Sequence, residues 1–161
     1  MTLSFTITET MSGVHHFVAP SQGDASDRAF YFRLDWGAER ASQLNPWSPD
    51  FLEFPAQGVI FVEGLTSAEV PCQGTLKLDY FRSQTLTYTL DFEVAGKRHH
   101  FVGQKRKVNL ANPLMLAKTH TTCYGTLTDA GGRIVSRSIT HFEPETLPAF
   151  LSSFRLRKGD S

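Results

Sequence analysis

Apolar and polar residues alternate along much of this 161-residue chain, and the alternation predicts β-strands. The clearest segment is 85–94, in which Leu86, Tyr88, Leu90, Phe92 and Val94 share one face and polar residues occupy the other. Similar patterns predict further strands at residues 3–11, 29–36, 58–65, 75–81, 97–105, 119–127 and 133–142.

The dipeptide Ala95-Gly96 suits a two-residue hairpin turn. Such a turn predicts that Asp91 faces His100 and that Glu93 faces Arg98 on the outer side. The inner pairs would then be Phe92–His99, Leu90–Phe101, Tyr88–Gly103 and Leu86–Lys105. A slip of one residue would reverse every assignment on the second strand, so this register decides which way Lys105 points.

These strands predict an all-β single domain over residues 1–161: an antiparallel lipocalin-like (calycin-type) barrel of about eight to ten strands. Residues 146–154 have helical spacing and predict one short C-terminal helix, and the polar tail 155–161 is expected to fray. Residues 37–58 predict a long loop with one helical turn. Its aromatic residues would gate or plug one end of the barrel: Trp36, Trp47, Phe51 and Phe54.

Two charged residues fall on apolar faces of the predicted strands. Glu9 shares a face with Phe5, Ile7 and Met11, and Lys105 points inward in the hairpin register. A charge on an inner face is costly unless it is paired or solvated, so the two residues define a candidate site. Buried together, each would keep the other charged, whereas a separate Glu9 could act as a catalytic base.

Inward-facing neighbours extend this candidate site. The predicted ligand-binding residues are Glu9, Lys105, Tyr88, His99, Phe101, Trp36 and His15. His15 faces inward if Gly13 adds no bulge. Adjacent histidines on a strand point to opposite faces, so neither His15-His16 nor His99-His100 forms a metal site by itself, and no metal is expected. Packed core histidines are the simpler interpretation.

Composition narrows the function classes. The chain has 16 Lys plus Arg and 16 Asp plus Glu, and this balance argues against nucleic acid as a partner. No 18-residue apolar run predicts a membrane span, and no leader pattern is visible, so a cytoplasmic location is expected. Two cysteines do not form a disulfide framework, and we expect the thiol of Cys123 to be buried and inert.

Three short stretches carry a family resemblance: Thr8-Glu9-Thr10-Met11-Ser12-Gly13, residues 103–108 and residues 150–155. They resemble, in this order, the Thr-Glu-x-Met-x-Gly stretch, the Gly-Tyr-Lys-x-Val stretch and the closing Phe-x-x-x-Phe-Arg helix of an accessory domain of bacterial cholesterol-oxidase-like flavoproteins. Gln104 departs from the aromatic of the second stretch. The resemblance implies a stand-alone module in a lipid- or steroid-associated context. The Gly-x-Gly-x-x-Gly fingerprint is absent, so no flavin or nicotinamide cofactor is expected.

Three functions remain open from the sequence. The first is a binding module for an apolar or lipid-like small molecule anchored near Glu9 and Lys105. The second is a cofactor-independent isomerase or cyclase that uses Glu9 as base, with Lys105 or Tyr88 stabilising developing charge. The third is a structural or partner-binding domain whose barrel is filled by its 13 Phe residues. Exposed strand edges could also pair two copies into a homodimer.

Overall fold

The structure is a computed structural model that describes residues 2–18, 26–79, 82–106, 122–142 and 155–159. Nine strands lie in these ranges: β1 (Thr2–Phe17), β2 (Arg28–Trp36), β3 (Glu53–Val62), β4 (Val70–Asp79), β5 (Thr85–Val94), β6 (Lys97–Lys105), β7 (Thr122–Asp129), β8 (Ile134–Phe142) and β9 (Arg155–Gly159). One turn of 3-10 helix, Ala41–Leu44, lies between β2 and β3. The helix predicted at residues 146–154 lies outside the described residues.

Strands β1 to β8 close into an antiparallel barrel. Each strand from β2 to β7 pairs with the next in the chain, and β1 pairs with both β2 and β8. This up-and-down order confirms the all-β closed barrel and is consistent with the lipocalin-like architecture expected from the sequence. No helix within the described residues is long and apolar enough to cross a membrane.

The hairpin of β5 and β6 has the predicted register. Leu86 is opposite Lys105, Tyr88 is opposite Gly103 and Asp91 is opposite His100. Both turn residues, Ala95 and Gly96, have positive φ values, of 51° and 75°, which suit a two-residue turn between twisted strands. Lys105 therefore points into the barrel, as the alternation required.

Strand β1 crosses Gly13 without a bulge. Its register with β2 runs unbroken from Ile7 to His15, so Glu9 and His15 both point inward. A Cβ atom on Gly13 would lie 2.1 Å from the carbonyl oxygen of Ile139 on β8. The glycine is therefore explained by the close approach of β8 and not by an interruption of the strand.

Several predicted boundaries are wrong; β4, for example, begins at Val70 and not at Thr75. Residues 155–159 form β9, which pairs with residues 2–6 of β1, although the polar tail was expected to fray. Backbone hydrogen bonds form that strand, and they leave no signature in side-chain polarity. Strand β3 begins at Glu53 and not near Gly58, because β4 pairs with it from Glu53 onwards, before its pairing with β2 begins at Ala56.

Aromatic side chains fill the middle of the barrel. The ring of Phe101 lies 5.3 Å from that of Phe30 and 5.6 Å from that of Phe32. A Cβ atom on Gly125 would lie 2.3 Å from Phe101 Cε2, and one on Gly103 would lie 2.8 Å from Phe101 Cζ. The two glycines therefore make room for Phe101, and the interior is packed at this level.

The barrel has two ends, named here after the residues near them. The Lys105 end includes the end of β6, the end of β2 and the start of β3, and the His15 end includes the end of β1 and the start of β2. Phe5, Trp36 and Phe54 form an aromatic cluster at the Lys105 end, with ring centroids 5.5 to 6.3 Å apart.

The loop from 37 to 52 is attached at the Lys105 end by a buried glutamine. Gln43 Oε1 accepts hydrogen bonds from the backbone N–H groups of Glu39 and Arg40, and Gln43 Nε2 donates to the carbonyl of Glu53. Phe54 is buried and Trp36 half-buried, which supports the interpretation of these two as a plug. Trp47 is 90% exposed, so the plug interpretation is wrong for this residue.

Candidate functional site

Glu9, Lys105 and Tyr88 meet inside the barrel. Lys105 Nζ donates to Glu9 Oε2 at 3.0 Å, and the Tyr88 hydroxyl donates to Glu9 Oε1. The Lys105 ammonium also lies 5.4 Å from the centroid of the Tyr88 ring, within cation–π range. Glu9 and Lys105 are only 6% and 4% exposed, and Tyr88 is fully buried. The structure thus places these three predicted residues in one buried polar cluster.

Three strands supply this cluster, and each follows from local alternation. Glu9 lies on the inner face of β1 between Ile7 and Met11, both buried. Tyr88 lies on β5. The turn between β5 and β6 sets a register in which Lys105 is opposite Leu86, so Lys105 lies one inward position closer than Tyr88 to the end of the barrel. The contact between β1 and the hairpin comes from barrel closure, which no local pattern encodes.

Both oxygens of the Glu9 carboxylate are engaged, whereas the described residues supply a single acceptor to the Lys105 ammonium. An ammonium carries three N–H donors. Within the part of the chain that the structure describes, Glu9 is the one hydrogen-bond acceptor found for Lys105 Nζ. A buried donor without an acceptor is costly, so the remaining donors of Lys105 are the feature of this cluster best suited to a further polar group.

Burial raises the pKa of the Tyr88 hydroxyl well above its usual range, and the Glu9 carboxylate raises it further. Tyr88 therefore acts as a neutral hydrogen-bond donor near neutral pH. The arrangement holds Glu9 as a paired carboxylate between a tyrosine and a lysine. It differs from the separate Glu9 of the catalytic-base hypothesis, because Tyr88 and Lys105 each donate a hydrogen bond to one of the two carboxylate oxygens.

Cys123 adds a thiol to the same region. Its Sγ would lie 2.7 Å from a Cβ atom on Gly103, the residue opposite Tyr88. Burial raises the pKa of Cys123 to about 12, with the nearby Lys105 charge opposing the shift. The thiol is therefore neutral, as the interpretation of an inert buried cysteine predicts. Placing it near Lys105 required the register of β6 with β7, which the sequence alone did not provide.

His15 lies far from this cluster, near the other end of the barrel. It is six residues from Glu9 along β1, or about 20 Å. Its Nε2 lies 2.8 Å from the carbonyl oxygen of Glu63 and its Nδ1 lies 2.8 Å from Ser136 Oγ. Because a carbonyl only accepts, Nε2 carries the proton and Nδ1 accepts from Ser136. Burial lowers the pKa of His15, which favours this neutral form.

His99 also lies toward the His15 end, six residues from Lys105 along β6. Its ring stacks on Phe92 with centroids 5.6 Å apart, and its Nδ1 lies 3.1 Å from the carbonyl oxygen of Lys97. The structure therefore does not bring His15 or His99 to Glu9, and the predicted residues do not form a single cluster. No group of three potential metal ligands occurs among the described residues.

The two remaining predicted residues, Phe101 and Trp36, lie at different depths in the barrel. Phe101 lies in the packed middle of the barrel, between the Glu9 cluster and the two histidines. Trp36 lies at the Lys105 end, in the aromatic cluster with Phe5 and Phe54. Its indole nitrogen is buried, and none of the described residues provides it with a hydrogen-bond partner. Of these two residues, Trp36 is therefore the one placed where a ligand would meet the barrel.

Two adjoining grooves lie on the outside of the barrel, with volumes of about 440 and 700 Å³. They share a row of polar residues that are opposite one another on β2 to β5: Asp35, Gln57, Gln73 and Asp91. Neither groove is lined by Glu9, Tyr88, His99 or Lys105. This row was not predicted from the sequence, although its members all occupy outward positions of alternating strands.

Comparison of the chain with protein-family models, curated proteins and solved structures gives no match.

Proposed function

We propose that this protein binds an apolar or lipid-like small molecule at the Lys105 end of the barrel. The polar group of the ligand accepts a hydrogen bond from the Lys105 ammonium, and its apolar part lies among the aromatic residues of that end. The observation that carries this proposal is the buried Lys105 ammonium, which has more donors than the acceptor supplied by Glu9.

Energetics support a role beyond stability for the Glu9–Lys105 pair. Buried ion pairs are often no more stabilising than apolar residues of similar volume, because desolvation offsets their mutual attraction. The barrel surrounds this pair with side chains that need no charge, such as Ile7, Met11 and Leu86. A ligand-anchoring role gives a reason for keeping two charges where packing alone requires none.

Ligand access is through the aromatic cluster of Phe5, Trp36 and Phe54. Phe5 and Ile7 are the inward residues of β1 between Glu9 and the Lys105 end. Rotation of the half-buried Phe5 and Trp36 side chains would expose an apolar surface leading toward Glu9. The resemblance to a domain from a lipid- or steroid-associated context agrees with a ligand of this class.

A displacement assay with a fluorescent fatty-acid analogue tests this proposal. Oleate and oleyl alcohol should displace the probe, whereas a hydrocarbon of matched length should compete poorly because it has no acceptor for Lys105. The double variant Glu9→Leu/Lys105→Met removes both charges together and should lose probe binding. Lys77→Met, which removes an exposed lysine on β4, is the matched control and should bind normally. Equal binding by the double variant would refute the anchor.

A second candidate is a structural or partner-binding domain with a permanently filled barrel. The packing of Phe101 over Gly103 and Gly125 favours it, because this part of the interior holds no space for a ligand. The two proposals differ in the behaviour of the Lys105 end. A ligand-binding barrel loses probe affinity in the double variant, whereas a filled domain binds no probe in either form.

A further inference from the structure

An exposed apolar segment lies in the loop between β2 and β3. Residues 44–49, named here the Trp47 tip, have the sequence Leu-Asn-Pro-Trp-Ser-Pro and contain no charged residue. Trp47 is 90% exposed and Leu44 is 37% exposed. Both prolines of the tip are also exposed. Trp47, Leu44 and the two prolines together form a local apolar surface that a partner could cover.

Hydrogen bonds hold the Trp47 tip in its protruding position. The Trp47 backbone N–H donates to Asn45 Oδ1 at 3.1 Å, and the Ser48 N–H donates to the Asn45 carbonyl at 3.0 Å. Asp50 accepts from the hydroxyls of Ser48 and Ser42, the latter at 2.8 Å. The tryptophan is therefore presented by an organised loop, so little ordering is required when it meets a partner.

The loop fixes the tip to the same end of the barrel as the Glu9 cluster. Gln43, directly before the tip, is bonded to the backbone of Glu53 at the start of β3. The Leu52 N–H donates to the Gln43 carbonyl, and the Leu78 N–H on β4 donates to the Leu52 carbonyl. The tip thus projects from the part of the barrel through which a ligand would reach Lys105.

We infer that the Trp47 tip docks this end of the barrel onto a lipid surface with neutral headgroups. Tryptophan suits the boundary between headgroups and acyl chains, since its ring is apolar and its N–H remains hydrated. The uncharged tip avoids the cost of desolvating a charge, and the zero net charge of the chain provides no attraction for anionic lipid. The inference rests on the proposed function, because a lipid surface is the source of the lipid-like ligand.

Sedimentation with phosphatidylcholine vesicles tests the docking. The wild-type protein should sediment with the vesicles, and Trp47→Ser should weaken the partition by about tenfold, the expected effect of losing one tryptophan's apolar contact. Tyr124→Ser is the matched control, because Tyr124 is an aromatic residue 60% exposed on the outer face of β7. Vesicles of brominated phosphatidylcholine should quench the fluorescence of the wild type more than that of Trp47→Ser, in which Trp36 remains.

Equal sedimentation of wild type and Trp47→Ser, or no sedimentation at millimolar lipid, would overturn the docking. A wild-type dimer that Trp47→Ser dissociates in the absence of lipid would also overturn it, since the tip would then bind a second copy. The double variant Glu9→Leu/Lys105→Met separates the two proposals. It should keep vesicle binding while losing the fatty-acid probe, whereas Trp47→Ser should keep probe binding in solution.

Discussion

Lys105 Nζ lies 3.0 Å from Glu9 Oε2, although the two residues are 96 positions apart in the chain. The contact joins the first strand of the barrel to the end of the sixth, and both side chains are withdrawn from water. Tyr88, on β5, completes the cluster by donating to the other Glu9 oxygen. Closure of the barrel therefore turns two separate irregularities in strand patterning into one buried ionic site.

Removing one charge of this pair should destabilise the fold more than removing both. Lys105→Met leaves the Glu9 carboxylate buried without its cation, and the free energy of unfolding should fall by about 3–5 kcal/mol. Glu9→Leu/Lys105→Met replaces both charges with apolar groups and should recover most of this loss. Urea denaturation measures both effects, and Lys77→Met on the surface should change little. A double variant as unstable as the single one would contradict the pairing.

Acid should destabilise the barrel through His15. Because its pKa is lowered in the folded state, the unfolded chain takes up the His15 proton at a higher pH than the folded protein does. Stability from this residue is therefore complete above about pH 6.5 and is lost as the pH falls below that value. The nearby Arg28 charge favours the neutral form, and the Glu63 charge opposes it.

The pH dependence of urea denaturation between pH 5 and 8 measures this contribution. His15→Gln keeps hydrogen-bonding groups but cannot titrate, so its stability should change less over this range than that of the wild type. His16→Gln is the matched control, since His16 is the exposed neighbour of His15 on β1. An unchanged pH dependence in His15→Gln would exclude His15 as its source.

Gly125→Ala should disturb the packed interior. The added methyl group would lie 2.3 Å from Phe101 Cε2 and 2.5 Å from Ser138 Oγ, so the ring must move. Overpacking of this kind costs about 1–3 kcal/mol of unfolding free energy. Gly131→Ala is the control, because its methyl group would meet only Asp129 Oδ1, at 3.4 Å. Phe101→Leu in the Gly125→Ala background should restore part of the loss, and failure to do so would argue against a filled interior.

Gln43→Leu should loosen the loop that carries the Trp47 tip. The change removes three hydrogen bonds to the backbone of Glu39, Arg40 and Glu53, two of them accepted by one buried oxygen. The unfolding free energy should fall by about 1–3 kcal/mol, because three partly buried backbone groups lose their partners. Hydrogen exchange should accelerate at Glu39 and Arg40. The exposed Gln73→Leu is the control and should leave both amides protected.

The predicted parts of the fold rest on short-range rules. Alternation and a two-residue turn fixed the register of β5 and β6, including the inward position of Lys105. The turn between β7 and β8 allowed several lengths, and the structure contains a bulge between Leu127 and Thr128 that no pattern specified. Strand β9 was not predicted, because its backbone pairing with β1 produces no pattern of apolar and polar residues in the local sequence.

The candidate site was predictable only in part for the same reason. Glu9 and Lys105 were found because a charge on an apolar face breaks the alternation. The sequence placed His15 and His99 on the correct face, and the six residues between Glu9 and His15 on one strand already imply a separation of about 20 Å. The position of His99 relative to Glu9 depends on the stagger between β1 and β6, which are distant in the chain, so it became visible only in the structure.

Native mass spectrometry of the purified protein, gently desolvated and then denatured, tests the central claim most directly. The wild type should carry a small molecule with a lipid-like mass that denaturation releases, and Glu9→Leu/Lys105→Met should be free of it. The same bound mass in both proteins would show that Lys105 anchors nothing. A wild type that neither carries such a mass nor takes up added oleate would contradict ligand binding and favour the filled barrel.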